Sequence, residues 1–87
     1  MKNVTVTKQN VKTGDKVIKS KDWRWGSQGE NSKFGVTKVI EDHNWVNVRW
    51  ENGERNSYRI GVEGFFDLYF YTKELTPSLI NRIGHLL

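Results

Sequence analysis

Aromatic rings, two amide side chains and one arginine, set among glycines, are the residues of this sequence best suited to chemistry. In Asp22-Trp23-Arg24-Trp25-Gly26-Ser27-Gln28, Trp25 lies two residues from Trp23 and beside a glycine. An indole left partly exposed there offers a broad apolar face and one N–H donor. Arg59 carries a planar fork that grips a carboxylate through two bonds or stacks on a ring, which lysine does poorly. Gln28 and Asn56 supply amides that bond either a peptide backbone or their own loops. Together with Phe66 these residues outline a peptide-binding groove edged by Trp25, Arg59 and Phe66, and the chemistry they offer is non-covalent recognition. Two of them have a structural role equally open: Trp25 can pack, and Arg59 can pair with Asp22 or Asp67 to hold loops together.

Catalytic chemistry finds little support. There is no cysteine, which excludes disulfides, thiolate zinc sites and a cysteine nucleophile, including one that would carry ubiquitin. The two histidines, His43 beside Asp42 and His85 near the C-terminus, have no second ligand at metal-binding spacing. No Gly-x-Ser-x-Gly elbow, Gly-rich phosphate loop or His-Glu-x-x-His helix occurs. The expectation is a protein that is not an enzyme and needs neither metal nor cofactor.

With 87 residues the chain has material for one core, and folding buries roughly 60–65% of the surface its extended form exposes. Only 36% of residues are hydrophobic, yet 13% are aromatic, so the apolar area is concentrated in a few large side chains. That favours a compact β-rich core. Trp23, Trp50, Tyr58 and Leu68 are the expected core, because a barrel this small needs bulky side chains to fill it. The N-terminal stretch lacks the apolar run of a signal peptide and no eighteen consecutive apolar residues occur, so a cytoplasmic or nuclear location without membrane insertion is expected.

The formal charge of +4 is uneven: residues 1–24 hold Lys2, Lys8, Lys12, Lys16, Lys19, Lys21 and Arg24 against Asp15 and Asp22, a net of +5. Such a segment either keeps a small domain soluble or attracts an acidic partner or nucleic acid. Nucleic-acid binding, with the arm on phosphates and exposed aromatics under bases, is the alternative to protein recognition.

The elements that must hold these residues are short strands. Lys16–Lys19, Phe34–Ile40, Val46–Trp50, Arg55–Ile60 and Phe65–Tyr71 read as β, with alternating faces in the last three. Asn52-Gly53 predicts a two-residue type I′ hairpin turn. Residues 1–13 read as an N-terminal extension or edge strand. Residues 73–87 read as a C-terminal helix, capped by Thr76 and opened by Pro77, whose stripe of Leu79, Ile80, Ile83, Leu86 and Leu87 packs on the barrel or supports weak self-association of an otherwise monomeric protein. The predicted fold is all-β, a small SH3-like β-barrel over residues 14–72 with a short accessory C-terminal helix.

Three motifs within residues 14–70 then point to a family. Asp22-Trp23-Arg24-Trp25-Gly26-Ser27-Gln28 is followed by Val46-Asn47-Val48-Arg49-Trp50-Glu51-Asn52-Gly53. The third motif runs through Asn56-Ser57-Tyr58-Arg59-Ile60-Gly61 and Glu63-Gly64-Phe65-Phe66-Asp67-Leu68. In order and spacing the chain resembles the mind-bomb/HERC domain. It departs from that pattern at Lys19-Ser20-Lys21, at Gly29-Glu30-Asn31 and at Glu51. The resemblance implies a small β-barrel module of large ubiquitin ligases that recruits a protein or peptide segment of a target, the ligase activity lying in other domains, in cis or in trans.

Overall fold

The computed structural model describes residues 3–84. Lys2, His85, Leu86 and Leu87 lie outside the described residues. Six strands run in order: β1 (Lys16–Lys19), β2 (Gly35–Val39), β3 (Trp45–Trp50), β4 (Arg55–Val62), β5 (Phe65–Phe66) and β6 (Leu68–Phe70), followed by helix α1 (Pro77–Ile83). The fold is the expected all-β one with a short C-terminal helix.

The antiparallel sheet has the spatial order β5-β4-β3-β2-β1-β6. Its two outer members are one strand interrupted by a single residue, Asp67. Phe66 pairs with Ile60 of β4, Leu68 pairs with Lys19 of β1, and Asp67 donates its N–H to the Arg59 carbonyl at 2.9 Å while its own carbonyl accepts from Ser20. The sheet therefore closes on itself at Asp67. The single last strand read over Phe65–Tyr71 is divided there, because the chain exchanges one neighbour for another at that residue.

Alternation fills the interior. On β3, Val46, Val48 and Trp50 are buried while Arg49 is exposed. On β4, Tyr58 and Ile60 point inward. Leu68 and Phe70 complete the same core from β6. Trp23, expected in the core, is half-buried at its margin, packed 4.9 Å from Tyr58 and edge-on to Trp50 at 5.7 Å between centroids. Backbone presses close on Trp50 at the start of β2, where a Cβ at Gly35 would lie 2.3 Å from Val48 Cγ1 and 2.9 Å from Trp50 Cε3. Only glycine admits that approach.

The β3–β4 hairpin forms where expected, with a different turn. Gly53 N–H bonds the Trp50 carbonyl at 2.9 Å, neither Glu51 nor Asn52 has positive φ, and Gly53 takes φ 93°. This is a three-residue loop with a left-handed glycine bulge, where the dipeptide alone predicted two left-handed residues. Asn52 explains the preference: its backbone N–H bonds Ser32 Oγ and its Nδ2 bonds the Glu30 carbonyl, which ties the turn to the preceding loop.

The N-terminal segment is docked. Val4, Val6 and Val11 are buried, Thr5 bridges Tyr69, and the Val6 N–H and Val4 carbonyl bond β6. It makes a single β-bridge beside Leu68–Phe70, at the β6 end of the sheet. Helix α1 is capped by Thr76 Oγ1, which accepts from Leu79 N–H at 3.1 Å, and it buries Leu79 and Ile83 while Ile80 stays exposed. Arg82 fixes it with two bonds to the Asp15 carboxylate, at 2.8 and 2.6 Å, and one to the Asn10 carbonyl.

At the core's centre Trp50 Nε1 donates to Tyr58 Oη at 2.8 Å, and Tyr58 Oη donates to Gln28 Oε1 at 2.9 Å. Tyr58→Phe removes the shared hydroxyl and strands a buried indole N–H. The expected loss is about 1–3 kcal/mol, seen as a lower urea midpoint with an unchanged slope.

Candidate functional site

The outer face of β4 carries Arg59, which by alternation ought to meet water. It is 5% exposed. The loop from Ser20 to Gly26 folds over it, held by Asp22, whose carboxylate accepts the Phe66 N–H at 3.0 Å and whose carbonyl accepts Arg59 Nη2 at 3.1 Å. Ser20 Oγ joins the same clasp by donating to the Phe66 carbonyl and accepting from the Asp22 N–H.

Beneath the loop, Asp67 is fully buried and surrounded by donors. Arg59 Nη2 reaches Oδ1 at 2.7 Å, Arg59 Nε lies 3.1 Å from both oxygens, and the Arg59 backbone N–H and Trp25 Nε1 bond Oδ2 at 2.8 and 2.9 Å. Burial alone would raise the Asp67 pKa, but the bonds from Arg59 and Trp25 outweigh it and hold the carboxyl below its ordinary value. The bond to Asp67 raises the Arg59 pKa correspondingly.

Above the pair stand two rings. The guanidinium carbon lies 4.4 Å from the Phe65 centroid and 5.5 Å from the Trp25 centroid, within cation–π reach of both. Phe65 is 41% exposed and Trp25 half-buried. Beside them, a shallow depression of about 430 Å³ is lined by Lys21, Asp22, Phe65, Phe66 and Tyr69 together with Thr5 of the docked arm.

The residues singled out by sequence thus separate. Trp25 and Arg59 come together, but the Trp25 N–H and the arginine fork are engaged by Asp67, so what Trp25 presents is its ring. Phe66 lines the depression alongside. Gln28 is bound through its oxygen to Tyr58. Asn56 is exposed and lines a different hollow, on the face of β2, β3 and β4. Phe65 and Tyr69 were missed as site residues. Their only signal was a place on the opposite side of the last strand from Phe66, which cannot tell an aromatic packed under a loop from one left at the surface. Among the described residues, no three His, Asp or Glu side chains converge as metal ligands.

Comparison with known proteins gives a consistent picture. The Mib_herc2 family model matches residues 14–72. The chain is 42% identical over 73 residues to the E3 ubiquitin-protein ligase hecd-1 of Caenorhabditis elegans, covering 78% of this chain and 3% of the relative. It is 39% identical over 61 residues to the human E3 ubiquitin-protein ligase HERC2, covering 67% and 1%. It is 33% identical over 91 residues to the E3 ubiquitin-protein ligase MIB2 of Gallus gallus, covering 85% and 9%. The chain thus spans a small fraction of the length of these relatives.

Asp67→Asn leaves the guanidinium buried without its counter-charge and is expected to cost about 3 kcal/mol, measured by urea unfolding at pH 7. Because Asp67 releases its proton more readily folded than unfolded, its contribution is full above the ordinary aspartate value of 3.8 and fades as pH falls through the lower folded value. The gap between wild type and variant should therefore narrow below about pH 4.

Proposed function

The chain belongs to the Mib_herc2 family, and from that premise we propose that it is a non-catalytic module that recruits a protein segment to a ubiquitin ligase. The observation that carries this reading is the exposed Phe65 ring, which with Trp25 lies within cation–π reach of Arg59 and lines the depression together with Phe66 and Tyr69. Aromatic side chains immobilised at a surface lose little entropy when a partner covers them, and aromatic anchors dominate the energetics of interfaces. The charge beneath them is neutralised internally by Asp67, so a partner would meet rings and a shallow polar rim in place of a bare cation. The anchors are Trp25, Phe65 and Phe66, with Arg59 as their support.

In this reading Gln28 acts through the core, by holding Tyr58. The docked arm forms one wall of the depression through Thr5 and Thr7, so its role is to shape the surface.

Phe65→Ala removes the exposed ring without opening the core, and its melting temperature should match that of the wild type. Immobilised in a nuclease-treated lysate, the wild type is expected to capture specific proteins whose recovery drops roughly tenfold or more with the variant, the scale of losing one interface anchor. Equal recovery by both would move the binding surface elsewhere. Capture that vanishes on nuclease treatment would replace protein recognition with nucleic-acid binding.

A further inference from the structure

A second hollow lies on the outer face of β2, β3 and β4, where Arg55 stands two alternate positions before Arg59 on the same face of β4, and it shares no lining residue with the depression beside Phe65. Arg49 and Arg55 are directly opposite each other across the β3–β4 ladder, Val36 faces Arg49 from β2, and Lys38 lies one row further along, opposite Asn47. Lys38, Arg49 and Arg55 are exposed. Among the described residues the ion pairs are Lys16–Glu74, Arg59–Asp67 and Arg82–Asp15, and none involves these three cations. Like charges directly opposite on one face of a sheet disfavour the pairing, so the protein carries here an electrostatic repulsion that an anion placed between the two guanidinium groups would relieve. The three cations line a hollow of about 480 Å³ together with Val36, Asn47 and Asn56.

We propose that this face binds an extended acidic segment of a partner protein, with carboxylates at alternate positions. Along the strands the Arg49–Arg55 row and the row holding Lys38 are two residues apart, roughly 7 Å, the rise between alternate side chains of an extended peptide, and the added sideways step from β3 to β2 is left to the long, flexible Lys38 side chain. One carboxylate sits between the two arginines and the next reaches Lys38. A nucleic acid suits the face less well. No aromatic side chain lines the hollow, so bases have nothing to stack on, and three cations neutralise too few phosphates for useful affinity at physiological salt. The inference stands apart from the Trp25–Phe65 reading and does not depend on it.

The probe is a rhodamine-labelled peptide of four Ser-Glu repeats, compared by fluorescence anisotropy with a Ser-Gln peptide of the same length and with a labelled twelve-nucleotide oligo-dT. The Ser-Glu peptide should bind, weaken as sodium chloride rises, and shift the amide resonances of Val36, Lys38, Asn47, Arg49 and Arg55. The double variant Arg49→Glu/Arg55→Glu should lose at least tenfold in affinity without a lower melting temperature, since both side chains are exposed. Phe65→Ala should bind the probe like the wild type, which separates this surface from the other. The proposal is overturned if the Ser-Glu peptide binds no better than Ser-Gln, if the double variant retains its affinity, or if oligo-dT binds the same residues more tightly than the acidic peptide.

Discussion

Closing a small sheet places the chain between two neighbours at a single residue, and here that residue is an aspartate. Asp67 passes its backbone N–H to β4 and its carbonyl to Ser20, just past β1, and its side chain lies fully buried beneath the Asp22 loop. An isolated carboxylate in that position would not remain charged. It does so because Arg59, eight residues earlier, lies alongside it and supplies both its fork and its backbone N–H, with Trp25 adding a further donor. The pair is thus a condition of closure as much as a consequence of it: without Arg59 the buried carboxyl would have to take up a proton, and without Asp67 the buried guanidinium would lose its counter-charge.

From that pair the surface follows. The Trp25 indole is oriented by its bond to Asp67, the Asp22 loop is drawn down by the guanidinium and by the Phe66 N–H, and Phe65 is left with its ring over a cation on one side and solvent on the other. An exposed aromatic ring is ordinarily free to turn, and one that rests on a buried charge is held. The same economy governs the other side of the core, where one tyrosine hydroxyl serves Trp50 as acceptor and Gln28 as donor, so that the loop bearing Gln28 and Gly29 is joined to the barrel through its centre.

Beyond the closed sheet, arm and helix stabilise one another. Asp15 accepts from Lys12 N–H and from both terminal nitrogens of Arg82, which also reaches the Asn10 carbonyl. Val11, Leu79 and Ile83 join the same core as the strands. The arm and the seven-residue helix are thereby part of the domain, although neither has enough apolar surface to fold alone.

Much of this was legible in order of residues alone. Alternating apolar positions place Val46, Val48, Trp50, Tyr58 and Ile60 inward because side chains of a strand alternate by geometry. Thr76-Pro77 opens the helix because a cap and a proline suit its first turn, and the three motifs around Trp23, Trp50 and Asp67 identify the family. What the tertiary structure decided is where long-range partners meet. Strand alternation sends Arg59 outward, and only the loop 37 residues earlier in the chain, folded back over it, buries it; nothing local to Asn-Gly says that Asn52 bonds Ser32 and Glu30 and so selects a bulged turn. The division of the candidate residues between two surfaces has the same cause. Sequence spacing determines the face on which a side chain stands, whereas its exposure depends on which distant segment covers that face, and that is settled only when the sheet closes.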